Sequence, residues 1–263
     1  MLDRKQKYLQ IALNSSLREA KEIIYQLPLD RRIIIEAGTP LIKEYGAEAI
    51  RNIRYWWEGR IFGYELNPYQ NVTIRFPLID LINKSIEQKR ESQIIKNPRE
   101  NKEKFFPYIV ADLKCMDRGE REVEIAKQAG ANALTALGHA PIETLDAFIE
   151  NCERHNLDSM IDMMNVEFPL NVMRQLEKPP KAVILHRGVD EEALNPEKEI
   201  PFHEIQRIKN EYDILIAIAG GDSFSEVQRA LFNDADIVVV WKSFYKSTGE
   251  TAKLAQDFLK EIR

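Results

Sequence analysis

Short apolar runs, each closing on a polar residue or glycine, alternate along this chain with segments whose apolar residues recur at helical spacing. The run YLQIAL reads as a strand ending at Asn14, after which Ser15 or Ser16 caps a helix to about Gln26. The Ile-rich part of RIIIEAGTP reads as a second strand, closed by Gly38 and Pro40, and the pattern predicts a helix from about Leu41 to Arg54. Strand and helix in strict alternation belong to a parallel sheet.

The alternation stops at Tyr55 and resumes only at Tyr108, too long a gap for an ordinary helix-to-strand connection. The first half of the gap is aromatic, with Tyr55, Trp56 and Trp57. The second predicts an amphipathic helix with Leu78, Ile79, Ile82 and Ile86 on one face. We read 55–107 as an insertion within a single domain spanning 1–263. An aromatic cluster beside such a helix favours a small core or a subunit contact over a ring-stacking site. Its place between a helix and a following strand predicts the N-terminal face of a barrel, away from the chemistry.

After the gap comes VADLKCMDRGE, an apolar strand that ends in Asp112, Lys114 and Asp117. Asp112 and Lys114, two apart, share a face of an extended chain. A carboxylate and an ammonium at the end of an apolar strand are costly to bury unless they pair or bind something. A helix from about Arg121 to Ala129 follows, ended by Gly130. Strands at ANALTALGH, DSMIDMM, KAVILH, DILIAIAGG and DIVVVWKS, each followed by a helix, bring the total to about eight units. That number predicts a (β/α)8 TIM barrel, and no G-x-G-x-x-G follows the first strand to suggest a dinucleotide-binding sheet.

A barrel gathers the C-terminal ends of its strands at one mouth. Here those ends carry Asn14, Glu36, Asp112 with Lys114, Asp162, His186 and the pair Gly220 and Gly221. Glu36 and Asp112 would present two carboxylates to one volume, able to share a proton or hold a hard cation such as Mg²⁺. His186 can act as a base near neutral pH, Lys114 can stabilise developing negative charge, and bare glycine N–H groups can approach a phosphate.

Charge narrows the partners. With 42 acidic and 37 basic residues, a net charge of −5 and no basic stripe, nucleic acid is not expected as a main partner. No apolar run reaches the roughly 18 residues of a membrane span and the first residues lack a signal-peptide core, so a cytoplasmic protein is expected. Cys115 and Cys152 have no metal-ligand spacing and read as reduced thiols; no His adjoins Cys115 in sequence to activate it as a nucleophile.

YLQIALN, IIIEAGTPLIKEYG, VADLKCMDRGE, IDMM, ILHRG and IAIAGG, in this order, resemble 3-hexulose-6-phosphate synthase and its relatives in the orotidine 5′-monophosphate decarboxylase superfamily. The resemblance covers nearly the whole chain outside 55–107. It implies a β/α barrel that dimerises, with Asp117 reaching the partner's site. It also implies Mg²⁺ held by Glu36 and Asp112, and an enediolate of ribulose 5-phosphate that adds to formaldehyde. His186 would then be the proton-abstracting base and Lys114 the group that stabilises the enediolate.

Three positions depart from the family pattern. Asn14 stands where the first strand usually ends in Asp. Arg187 and Gly188 follow His186 in place of Thr-Gly, closer to the 3-keto-L-gulonate 6-phosphate decarboxylases. Trp241 and Lys242 replace the glycines of the eighth-strand phosphate site; Lys242 offers a charge in place of the lost contact while Trp241 would crowd the backbone approach, so an altered or absent phosphate pocket is expected. Asn14, Asp162, Arg187, Gly220, Gly221 and Lys242 are therefore the candidate substrate- and phosphate-binding residues. Three readings stay open: a synthase-like aldol lyase, an enzyme with the same metal and enolate chemistry on another substrate, and a non-catalytic binding or assembly module.

Overall fold

The computed structural model describes residues 2–63, 105–221, 223–246 and 250–262. Eight parallel strands close into a barrel in sequence order: β1 (Tyr8–Leu13), β2 (Ile33–Ala37), β3 (Ile109–Cys115), β4 (Ala133–Leu137), β5 (Asp158–Asp162), β6 (Ala182–His186), β7 (Leu215–Ala219) and β8 (Ile237–Val240). Pairing of β8 with β1, Tyr8 opposite Ile237, completes the ring.

The strands are apolar on both faces because each face is covered. Along β1, Leu9, Ile11 and Leu13 point outward under the helices, while Tyr8, Gln10 and Ala12 point into the barrel. The same parity sends Ile34 and Glu36 inward from β2, and Val110 and Asp112 from β3. Polar residues that end an inward row thus meet at the C-terminal mouth.

Among the described residues the helices are α1 (Leu17–Gln26), α2 (Thr39–Tyr45), α3 (Ala47–Phe62), α4 (Gly119–Ala129), α5 (Ile142–Arg154), α6 (Pro169–Met173), α7 (Val189–Leu194), α8 (His203–Lys209), α9 (Phe224–Phe232), α10 (Lys242–Lys246) and α11 (Thr251–Glu261). Of the two serines the sequence offered as a cap, Ser16 is the one that caps α1, in a box with Glu19. The single helix expected over 41–54 is instead two, broken at Gly46, whose φ of 61° and ψ of −147° are open essentially to glycine alone.

Helix α3 then runs past Arg54 to Phe62, so Tyr55, Trp56 and Trp57 belong to a helix of the barrel and not to the insertion. Both tryptophans are buried, and Trp57 meets Phe105 edge-on at 6.2 Å, where the chain returns toward β3. The aromatic cluster is packing. The amphipathic helix expected around Leu78 to Ile86 lies outside the described residues. The short helices α7 and α10 were not anticipated; α7 has no buried residue of its own.

Trp57 is fully buried, so Trp57→Ala should destabilise the fold by about 3–5 kcal/mol in urea unfolding. A loss under about 1 kcal/mol would mean that α3 is not docked as described.

Candidate active site

The end of β3 is irregular in a way that defines the site. Ala111 pairs with Leu134 and Cys115 with Ala136, so three residues of β3 face the single residue Thr135 of β4. Lys114 takes a left-handed backbone, φ 48°, within this bulge. The bulge swings its side chain back over the mouth, where Nζ lies 2.7 Å from Asp162 Oδ2 and 3.2 Å from Asp112 Oδ1. Asp112 and Lys114 therefore meet, through the bulge and not through the plain alternation of an extended strand.

Each oxygen of Asp112 also accepts a hydroxyl: Thr39 donates to Oδ2 at 2.7 Å and Thr135 to Oδ1 at 2.7 Å. Asp162, 1% exposed, accepts at Oδ2 from Lys114 and from His186 Nδ1 at 2.8 Å, and at Oδ1 from the Met164 N–H. Its oxygens are thus engaged in holding Lys114 and His186. Glu36 accepts from Gln10 Nε2 at 2.5 Å, while Gln10 Oε1 is buried with no partner.

The electrostatics follow from this crowding. Burial works against the charges of Lys114 and His186, yet their carboxylate neighbours outweigh it and hold both pKa values above the ordinary ones. Burial alone would raise Asp162; His186 and Lys114 instead hold it far below the usual carboxylate range. Glu36 is the opposite case: burial, reinforced by Asp112, pushes it up to about 7.

These groups line one cavity of about 400 Å³ at the C-terminal mouth. It gathers Asn14, Glu36, Asp112, Lys114, Asp162, His186, Arg187 and Gly220 from the sequence-derived candidates. Asn14 packs on Gly38, and the Tyr245 hydroxyl accepts from the N–H groups of Asn14 and Ser15 at 3.0 and 3.2 Å. Gly220, φ 92°, passes so close to Arg187 that a Cβ would fall 2.1 Å from its carbonyl oxygen.

Three candidates lie outside the cavity. Asp117 is exposed on the loop after β3. Gly221 is buried against Glu226 and Ile200. Lys242 forms an ion pair with Glu192 of α7. Arg187 donates to the Gly220 carbonyl at 2.7 Å and to Glu226 at 3.0 Å, and Glu226 also caps α9 with Ser223. The first turn of α9 is thus filled by the chain's own carboxylate. Cys115 is buried, and its thiol is pushed up to about 12 by burial and by Glu122, which removes it as a nucleophile.

Gln10, Thr39 and Thr135 are the site residues that sequence reasoning missed. A polar residue inside the apolar runs YLQIAL and ANALTALGH was the available signal.

Glu36 and Asp112 could hold a metal. One ammonium faces three carboxylates, the donors offered by Glu36 and Asp112 are oxygens, and Gln10 Oε1 is an unmatched acceptor beside them. That suits Mg²⁺, which takes one or two carboxylates and completes its shell with water and substrate oxygens. Among the described residues no three His, Cys, Asp or Glu side chains form a ready-made cage.

A closed barrel with buried, opposed charges converging on a cavity at its C-terminal mouth has the architecture of a catalytic β/α barrel. Residues 86–256 match the family model "Orotidine 5'-phosphate decarboxylase / HUMPS family", and the chain belongs to that family. It is 34% identical over 241 residues to a bifunctional enzyme Fae/Hps of Methanocaldococcus jannaschii, covering 91% of this chain and 48% of that one. The same-named protein of Methanocella arvoryzae is 31% identical over 261 residues, covering 97% and 54%. The chain thus spans about half the length of these curated relatives. The crystal structure of 3-hexulose-6-phosphate synthase from Salmonella typhimurium shares the fold, with a TM-score of 0.67, 23% identity and coverage of 97% and 99%. Among the described residues no helix is long and apolar enough to cross a membrane.

The Glu36 carboxyl gives a test of the electrostatics. A carboxyl whose folded pKa lies above its unfolded value costs no stability below the unfolded pKa, and progressively more as pH rises to the folded one. Here that window runs from 4.5 to about 7. Without divalent cations, Glu36→Gln should match the wild type near pH 4 and exceed it by roughly 3 kcal/mol at pH 8 in urea unfolding. Equal stabilities at pH 8 would contradict the crowding of Glu36 by burial and Asp112.

Proposed function

We propose that this chain is a metal-assisted lyase of aldol type acting through an enediolate, with ribulose 5-phosphate and formaldehyde as the leading substrate pair. The observation that carries this reading is the Lys114 ammonium, shared by Asp112 and Asp162 and lining one cavity with His186. The strand-end motifs that resemble 3-hexulose-6-phosphate synthase, and the curated relatives named bifunctional enzyme Fae/Hps, support the substrate class.

Asp162 accepts from Nδ1 of His186, which assigns the tautomer and leaves Nε2 as the basic nitrogen of the neutral ring. His186 takes the C1 proton of the sugar. The electron pair moves onto the C2 carbonyl oxygen, where Lys114 stabilises the charge. C1 of the enediolate then bonds to the formaldehyde carbon, the C2 carbonyl reforms, and the formaldehyde oxygen takes up the proton that His186 removed, which regenerates the base. Glu36 and Asp112, with Gln10 beside them, would hold Mg²⁺, which when bound supplies Lewis-acid stabilisation of negative charge on substrate oxygens. Asp117, exposed and outside the cavity, fits a role at a partner's site in a homodimer.

A second reading, the same chemistry on a different substrate, rests on the far end of the cavity. There Trp241 takes part in the lining, and outside the cavity Glu226 fills the first turn of α9 and Lys242 is tied to Glu192. Formaldehyde consumption with ribulose 5-phosphate, with and without Mg²⁺, separates the two. Metal-dependent turnover supports the leading reading. Metal binding without turnover supports the second, and neither would point to a non-catalytic module.

Lys114→Ala should lower kcat by about 10²–10³-fold, because it acts on developing charge, while Asp112→Asn should in addition weaken Mg²⁺ binding in calorimetry. The rate should rise with pH as His186 loses its proton, with a midpoint above the ordinary histidine value, since Asp162 overcomes the effect of burial. Asp162→Asn should move that midpoint to lower pH; an unmoved midpoint would remove His186 as the base.

A further inference from the structure

We infer that Thr135 is a positioning residue whose hydroxyl sets both the backbone of Lys114 and the carboxylate of Asp112. This inference rests on the reading of Lys114 as the charge-stabilising group. The bulge takes the Lys114 N–H out of the regular ladder between β3 and β4. Thr135 Oγ1 replaces the lost acceptor, receiving that N–H at 3.0 Å. The same oxygen donates its own hydrogen to Asp112 Oδ1 at 2.7 Å. One hydroxyl thus joins the two ends of the bulge, accepting from one and donating to the other.

The arrangement uses the hydroxyl's one hydrogen and one of its lone pairs, in a setting that offers no water as a substitute, since Thr135 is 1% exposed. It also has a consequence for direction. Lys114 sits at φ 48°, a region that non-glycine residues adopt only when their surroundings impose it. Without the acceptor on Thr135, the backbone can relax toward extended geometry, and the ammonium then leaves its place between Asp112 and Asp162. Thr39 differs in this respect: it bonds the Asp112 carboxylate and carbonyl but makes no contact with the Lys114 backbone.

The test compares Thr135→Val, which keeps the shape and loses the hydroxyl, with Thr135→Ser, which restores it. Two quantities are measured. The first is amide hydrogen exchange of Lys114 by NMR, which needs no substrate. The second is kcat with ribulose 5-phosphate, formaldehyde and Mg²⁺, alongside the calorimetric Kd for ribulose 5-phosphate.

The expected result for Thr135→Val is exchange at Lys114 faster by roughly tenfold. Its kcat should fall by about 10–100-fold, as for a misplaced catalytic group, with Kd nearly unchanged. Thr135→Ser should recover both. Should Thr135→Val fail to fold, Thr135→Cys, with its weak S–H donor, carries the same expectation. Wild-type exchange in Thr135→Val, or accelerated exchange with kcat intact, overturns the inference. If the wild-type protein itself does not turn over this substrate pair, the functional reading fails on that result, and the exchange measurement alone decides whether Thr135 sets the Lys114 backbone.

Discussion

The half-buried ammonium of Lys114, shared between Asp112 and Asp162, is the interaction around which the mouth of the barrel is built. A charge taken from water at this depth is tolerated only when its partners and their remaining hydrogen bonds are all supplied. The chain supplies them from five strand ends: Glu36 at β2, Asp112 and Lys114 at β3, Thr135 at β4, Asp162 at β5 and His186 at β6. Thr39, at the start of α2, completes the Asp112 carboxylate. Glu36 is the acid left over, its pKa raised by burial and then by the Asp112 carboxylate, a balance that a bound cation would alter.

Much of this was legible in the sequence. Two-sided apolar strands alternating with helices specify a barrel, and the parity of each strand sends Glu36 and Asp112 to the same side. What periodicity did not reveal were the features that depend on contacts distant in sequence. The left-handed Lys114 backbone is stable because of Thr135, a residue on another strand. Thr135 and Gln10 look like minor interruptions of apolar runs until their partners are known. The break at Gly46 and the helical setting of Trp56 and Trp57 were hidden because an aromatic-rich stretch says little about whether a helix continues through it.

The surroundings of Gly220 and Gly221 separate this chain from a simple reading of its glycines. Gly220 serves the close passage of Arg187, and Gly221 packs against Glu226 and Ile200. Arg187 and Glu226 neutralise one another beside them. An anionic substrate group arriving there would meet a guanidinium already bonded to a carboxylate, so binding would involve an exchange of partners as well as the addition of one. Lys242, bonded to Glu192, ties the end of β8 to α7 over the same region.

The most direct test of the central claim is a crystal structure of the protein with Mg²⁺ and a hydroxamate analogue of the ribulose 5-phosphate enediolate. The account predicts analogue oxygens within hydrogen-bond reach of Lys114 Nζ, the metal at Glu36 and Asp112, and His186 facing the carbon that corresponds to C1. An analogue bound elsewhere, with Lys114 still enclosed by Asp112 and Asp162 and out of its reach, would make the charged cluster a structural ion network and contradict the account.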